Sequence, residues 1–173
     1  MEQNQSNTAQ NAPLAQKNTP TAPPSLNLPP YETRLREEEG SVQIFDELRG
    51  RYVALTPEEW VRQHFVEYLI NEKHYPAALM ANEVSLTQNG IKRRCDTLVA
   101  DREGQPLVIV EYKAPDIEIT QQVFDQIVRY NMVLKARYLM VSNGMVHYCC
   151  LIDYANSSYS FLSEIPDYDS LSK

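Results

Sequence analysis

Leu107-Val108-Ile109-Val110 carries an apolar side chain at every position, and Pro115 stops the segment soon after. A strand without polar alternation must be covered on both faces, which calls for helices above and below a sheet. This one runs straight into Glu111-Tyr112-Lys113. A carboxylate at the end of such a strand is costly unless it has a partner or a task. The segment therefore constrains the fold class and marks where chemistry should be sought.

The flanking sequence supplies the expected partners. Thr56 is a good N-cap, Pro57 suits the first helical position and Glu59 completes a capping box. Trp60, Val61, His64, Phe65, Tyr68 and Leu69 then recur at helical spacing, and the helix is expected to end near Lys73, before Tyr75-Pro76. Strands are expected over 78–86, 92–100 and 107–113, a second long helix over 120–134, and two more strands over 137–141 and 145–152 around Ser142-Asn143-Gly144. The order is helix, three strands, helix, two strands, an α/β sandwich with a mixed sheet. Residues 41–52 fit a short strand and turn or a helical lead-in. Residues 1–25, rich in Gln, Asn, Thr, Ala and Pro, are expected to be a disordered tail. Residues 26–155 form the expected domain and 156–173 a C-terminal tail.

Composition narrows the function classes. Nothing reaches the ~18 apolar residues of a membrane span, and no signal-peptide pattern is present. Cys95, Cys149 and Cys150 are an odd number and fit a reducing compartment, so a soluble, cytoplasmic protein is expected. No Cys/His spacing suggests zinc. The net charge of −7 argues against strong stand-alone DNA affinity. The excess acid lies in the flanks, because residues 79–144 hold eight basic and eight acidic side chains.

If Glu103-Gly104 is the loop of a hairpin, facing residue numbers sum to 207. Asp96 then stands opposite Glu111, and Arg94 opposite Lys113. Facing Cβ atoms lie ~4.5–5.5 Å apart. Two carboxylates so placed repel unless a positive charge sits between them, and divalent magnesium, a hard oxygen-seeking cation, is the natural candidate. On that view, losing Asp96 costs the metal-free protein little stability. Lys113 shares a face with Glu111, so it reaches a metal-bound water or a phosphate. The plainer reading makes Asp96 and Glu111 ordinary strand-end residues, with Lys113 as their salt-bridge partner. Gln126 and Tyr130, four apart on a helix, share one face, and Gln122 adds a turn upstream.

With these motifs together, residues 26–153 resemble the PD-(D/E)xK nuclease superfamily, most closely the N-terminal nuclease domain of type I restriction enzyme R subunits. Asp96 matches the first acid, Glu111 and Lys113 the (D/E)-x-K, and Gln126 and Tyr130 the Gln-x-x-x-Tyr element. The resemblance implies a restriction-endonuclease-like αβββαβ core with a mixed sheet flanked by helices. It also implies a DNA substrate and phosphodiester hydrolysis dependent on Mg²⁺ (or Mn²⁺) held by Asp96 and Glu111. Gln126 and Tyr130 would orient the substrate, and other restriction-system subunits would be partners. Many relatives add a metal-binding glutamate from the first core helix. Glu59, Glu67 and Glu72 are candidates here, Gln63 stands at a comparable place, and Glu83 is a spare acid on the first strand. No Gly-x-x-x-x-Gly-Lys-Ser/Thr occurs, so no motor is expected alongside these motifs. The rival reading is a catalytically inactive module that keeps the nuclease fold for DNA binding or protein interaction.

Overall fold

The computed structural model describes residues 23–88, 90–131 and 134–171, apart from the side chains of Leu86, Gln88, Ile91, Arg93 and Tyr130. The expected tail lies outside the described residues as far as position 22. At Pro24 the chain is already in contact with the domain, its carbonyl accepting from Trp60 Nε1 at 3.0 Å.

Two sheets form. The first joins β1 (Leu35–Glu38), β2 (Ser41–Asp46) and β3 (Arg51–Ala54) as an antiparallel meander. Residues 41–52 thus contain strands and a turn, with Ile44 and Asp46 buried. The second sheet has six strands in chain order: β4 (Met80–Gln88), β5 (Ile91–Ala100), β6 (Pro106–Tyr112), β7 (Tyr138–Ser142), β8 (His147–Asp153) and β9 (Ser158–Phe161). Helix α1 (Pro57–Asn71) precedes it, and α2 (Gln121–Asn131) crosses over between β6 and β7, the parallel pair. The other neighbours are antiparallel. This is the mixed-sheet αβββαβ core.

Alternation along β6 explains its apolar run. Val108, Val110 and Tyr112 pack toward α1 with Val61, Phe65 and Leu69. Ile109 faces α2 with Phe124, Ile127 and Val128. Both sides of β6 are core, as a strand of this composition requires. The adjacent Cys149 and Cys150 fall in different clusters, one on each side of the sheet. Helix α1 starts where expected, the Thr56 hydroxyl accepting from Glu59 N at 3.0 Å.

The C-terminal residues depart from expectation. In place of a tail over 156–173, β9 pairs with β8 and α3 (Tyr168–Leu171) follows. Ile165, Tyr168 and Leu171 are buried in the core beside α1. Their spacing of three makes one apolar stripe, masked in the sequence by the Asp and Ser residues between them.

A chain of buried hydrogen bonds ties the layers together. The Tyr112 hydroxyl donates to Thr97 Oγ1 (3.0 Å), Thr97 donates to Asn82 Oδ1 (2.6 Å), and Asn82 Nδ2 donates to Asp46 Oδ2 (2.8 Å). Arg49 N closes the series on Asp46 Oδ1 at 2.8 Å. Burial works to raise the Asp46 carboxyl pKa, but the hydrogen bonds from Asn82 and Arg49 outweigh it and hold the group below its usual range.

Two stability tests follow. Thr97→Val leaves the buried Tyr112 hydroxyl and Asn82 amide oxygen without partners, and each such loss costs ~1–3 kcal/mol. Urea denaturation should register about 2–3 kcal/mol, and a loss below about 0.5 kcal/mol would mean the chain contributes little. Gly144 has φ +81, and a Cβ there would lie 2.7 Å from Leu26 Cδ2, whereas Gly104 (φ +79) faces open space. A side chain in this backbone region costs ~1–2 kcal/mol. Gly144→Ala should therefore cost more than Gly104→Ala, and equal losses would show that Leu26 moves aside freely.

Candidate active site

The β5–β6 ladder pairs Thr97 with Val110, Leu98 with Ile109 and Val99 with Val108, all on the sum of 207, and it ends there. The expected register is present, although the loop differs from the one assumed. Asp101 N bonds Gln105 O at 2.8 Å, enclosing three residues, and a register shift between Val99 and Ala100 restores the sum. Past Thr97 the Asp96 side chain replaces the ladder, its Oδ2 accepting from Tyr112 N at 2.9 Å. Asp96 and Glu111 then stand side by side, with their carboxyl groups in hydrogen-bonding reach of each other.

Glu111 is the electrostatically stressed member. Burial first, and the Asp96 charge second, push its carboxyl up to about 8; a hydrogen bond from Asn131 and the Lys113 charge pull the other way. The Asn131 bond is long, Nδ2 to Oε1 at 3.4 Å. Glu111, Lys113, Arg94, Gln126 and Asn131 line a cleft of about 320 Å³ between the end of β6 and the face of α2.

Behind Asp96 lies a cation. Arg62, from α1, is 5 % exposed. Its Nη2 is 3.3 Å from Asp96 Oδ1, and its Nη1 is 2.6 Å from Glu83 and 3.2 Å from Glu59. The Nη1 contacts are charge contacts, since Nη1 makes no aligned hydrogen bond. Glu83 has φ +58, a left-handed conformation uncommon for glutamate. It falls where the β4–β5 ladder skips a pair, between Asn82↔Thr97 and Val84↔Cys95, and its carboxylate meets both Arg62 and Arg94.

Asp96 therefore holds Arg62 and the Tyr112 amide. Its removal would take one of three carboxylates from a buried guanidinium and leave the Tyr112 N–H without its acceptor, so the expectation that its loss costs little is reversed by the geometry.

The structure brings Asp96, Glu111, Lys113 and Gln126 to one end of β6, with Glu83 joined to them through Arg62. Glu67 is held by Asn71 Nδ2 at 2.9 Å, and Glu59 by Arg49, Arg62 and Gln63. Glu72 follows the last residue of α1. The Tyr130 side chain lies outside the described residues, and Gln122 is exposed on α2. Sequence reasoning missed Arg62 and Asn131. Arg62 sits three residues after Glu59 on a helix whose apolar spacing drew attention elsewhere. Asn131 lies one position beyond the Gln-x-x-x-Tyr element.

Among the described residues, no group of three or more His, Cys, Asp or Glu side chains is arranged to hold a metal. The donor set at the cleft is one pair of hard carboxylates. That suits Mg²⁺, which keeps several waters and is bound through one or two carboxylates. Among the described residues, no helix is long and apolar enough to cross a membrane.

Comparison with known proteins now bears on this geometry. No curated protein matches the chain. A solved fragment assigned to an HsdR subunit of a type I restriction enzyme from Vibrio vulnificus is 22% identical at a TM-score of 0.49; the match covers 68% of this chain and 24% of that one. The model of the family described as the type I restriction enzyme R protein N terminus (HSDR_N) matches residues 57–166, from the start of α1 past β9. The chain belongs to that family.

Proposed function

We propose that this domain is a metal-dependent DNA endonuclease that hydrolyses phosphodiester bonds in the cytoplasm, working with separate restriction-system subunits. The observation that carries this reading is the half-buried Glu111 carboxyl beside Asp96, at a cleft lined by Lys113 and Gln126. Asp96 and Glu111 would hold Mg²⁺ or Mn²⁺. When bound, the cation supplies Lewis-acid charge and an acidified water.

The chain's own residues do the rest. Arg62 and Tyr112 N fix the Asp96 carboxylate from behind, leaving Glu111 to close the pair. Lys113 places a positive charge over the phosphate and the attacking water. Gln126 offers the substrate a neutral amide that does not compete for cation, and Tyr130 shares its helical face. Arg94, exposed at the cleft edge, is placed to meet a second phosphate.

One observation favours the second reading, an inactive nuclease-fold module for DNA or protein. Arg62 already compensates Asp96, Glu83 and Glu59, so these three acids are stable without a metal.

Nicking of supercoiled plasmid separates the two. Activity with Mg²⁺ or Mn²⁺ that EDTA abolishes is expected of the wild type. Lys113→Ala and Glu111→Gln should each lower it at least ~10²-fold, the scale of losing one transition-state contact, with circular dichroism unchanged. A wild type that never nicks leaves only the inactive module.

The metal-free protein should also lose stability as pH rises. Below the ordinary carboxyl value of 4.5, Glu111 is protonated folded or unfolded; between there and about 8 only the unfolded chain ionises, so folding weakens until about 8 and then levels. Melting temperatures in EDTA from about pH 5 to pH 9 should fall less for Glu111→Gln than for the wild type, and saturating Mg²⁺ should shrink the difference. Parallel curves for the two proteins would contradict the assignment of this drop to Glu111.

A further inference from the structure

Among the described residues, Asn131 makes its side-chain hydrogen bonds with one end only. Its Nδ2 donates to Ile127 O at 3.1 Å, a carbonyl of its own helix, and to Glu111 Oε1 at 3.4 Å. The Ile127 carbonyl can only accept, so the amide cannot turn over without setting Oδ1 against it. Oδ1 itself is buried and accepts from nothing among the described residues, in a residue 4 % exposed that lines the cleft with Glu111 and Lys113. An unmet buried acceptor is destabilising, and native proteins keep few of them.

The missing partner must donate hydrogen or be a cation. The DNA backbone supplies neither, because its phosphate and sugar oxygens within a strand are acceptors. Lys113 already faces Glu111, whose carboxyl its charge stabilises. Mg²⁺ is the ligand that brings donors with it, since it keeps several of its waters when bound. A cleft of about 320 Å³ has room for a hydrated ion, each water taking ~30 Å³.

We propose that Asn131 is a positioning residue of the cation site, its Oδ1 accepting a hydrogen bond from a water of the bound divalent cation while its Nδ2 orients Glu111. The site is then Asp96, Glu111 and Asn131, with the amide on α2 steering the cation's hydration shell toward the cleft. This rests on the cation-binding reading above and adds to it a residue outside both motifs.

Titration calorimetry with Mg²⁺ tests it without DNA or turnover. Asn131→Leu keeps the shape and removes both ends of the amide. If Oδ1 holds a cation water, Asn131→Leu should weaken Mg²⁺ binding at least about tenfold, the usual effect of losing an outer partner of a metal site, and should leave the metal-free melting temperature unchanged or higher. The titrations are repeated as the pH is raised from about 8, because losing the Asn131 bond moves the Glu111 pKa further up and higher pH ionises the carboxyl in both proteins. A purely structural role through Nδ2 predicts that the loss shrinks away as the pH rises, whereas a loss that persists marks Oδ1. An Asn131→Leu protein that binds Mg²⁺ within twofold of wild type overturns the proposal and leaves the cation site standing. A wild type that takes up no Mg²⁺ at millimolar concentration overturns both. Should Asn131→Leu not fold, Asn131→Ala is read against the same two outcomes.

Discussion

Tyr112 is held at both ends, and the site depends on it. Its phenol is buried beside α1 and donates into the Thr97–Asn82–Asp46 chain, while its backbone N–H is spent on Asp96. Successive strand residues point to opposite faces. Anchoring Tyr112 toward α1 therefore obliges Glu111 and Lys113 to project toward α2. A slip of one residue would put both into the core against Phe65 and Val61 and the phenol into the cleft. The small N-terminal sheet belongs to this arrangement, because Asp46 on β2 ends the chain of bonds that starts at Tyr112.

The charges follow a similar logic. Asp96, Glu83 and Glu59 converge on Arg62, and a buried cation with several acidic neighbours is costly to disturb by removing any one partner. Glu111 stands apart from that cluster. Burial and the Asp96 charge raise its pKa, and one long bond from Asn131 and the charge of Lys113 offset them only in part. The two carboxylates are therefore not equivalent. Asp96 is ordered by the fold through Arg62 and Tyr112, while Glu111 is left short of positive charge on the side that opens to the cleft. A divalent cation would complete the compensation there.

Much of this was readable from the residues because it rests on periodicities. The continuous run at Leu107–Val110 demanded cover on both faces, and α1 and α2 supply it. The Thr56-Pro57 cap fixed the start of α1, and the sum-of-207 register placed Asp96 beside Glu111. The hairpin itself was not readable. A three-residue loop and a register shift compensate each other, and neither has a sequence signal stronger than the Glu103-Gly104 pair that suggested a tighter turn. Residues 158–171 were hidden for another reason. β9 is a short edge strand, and the stripe of Ile165, Tyr168 and Leu171 gains meaning only against a surface formed by α1 and β6. Arg62 and Asn131 lay beyond reach because their roles come from long-range convergence. Arg62 meets Asp96 across 34 positions and Asn131 meets Glu111 across 20, and neither spacing is a local period.

The site lies where one kind of pairing gives way to another. β6 pairs antiparallel with β5 as far as Thr97↔Val110, and parallel with β7 to Tyr112↔Ser142. Beyond Val110 the β5 side of β6 has lost its ladder partner while the β7 side keeps one, with Lys113 N still bonding Ser142 O at 2.9 Å. The freed Tyr112 amide is what the Asp96 carboxylate captures. N–H and C=O of one residue point the same way from a strand, so the Tyr112 carbonyl also faces the edge that β5 has left. The divergence of β5 from β6, marked in β4 by the left-handed Glu83, thus opens the sheet beside Asp96. Consistency between local pattern and global fold holds along most of these strands and lapses at this position, which is where function is expected to make its demands.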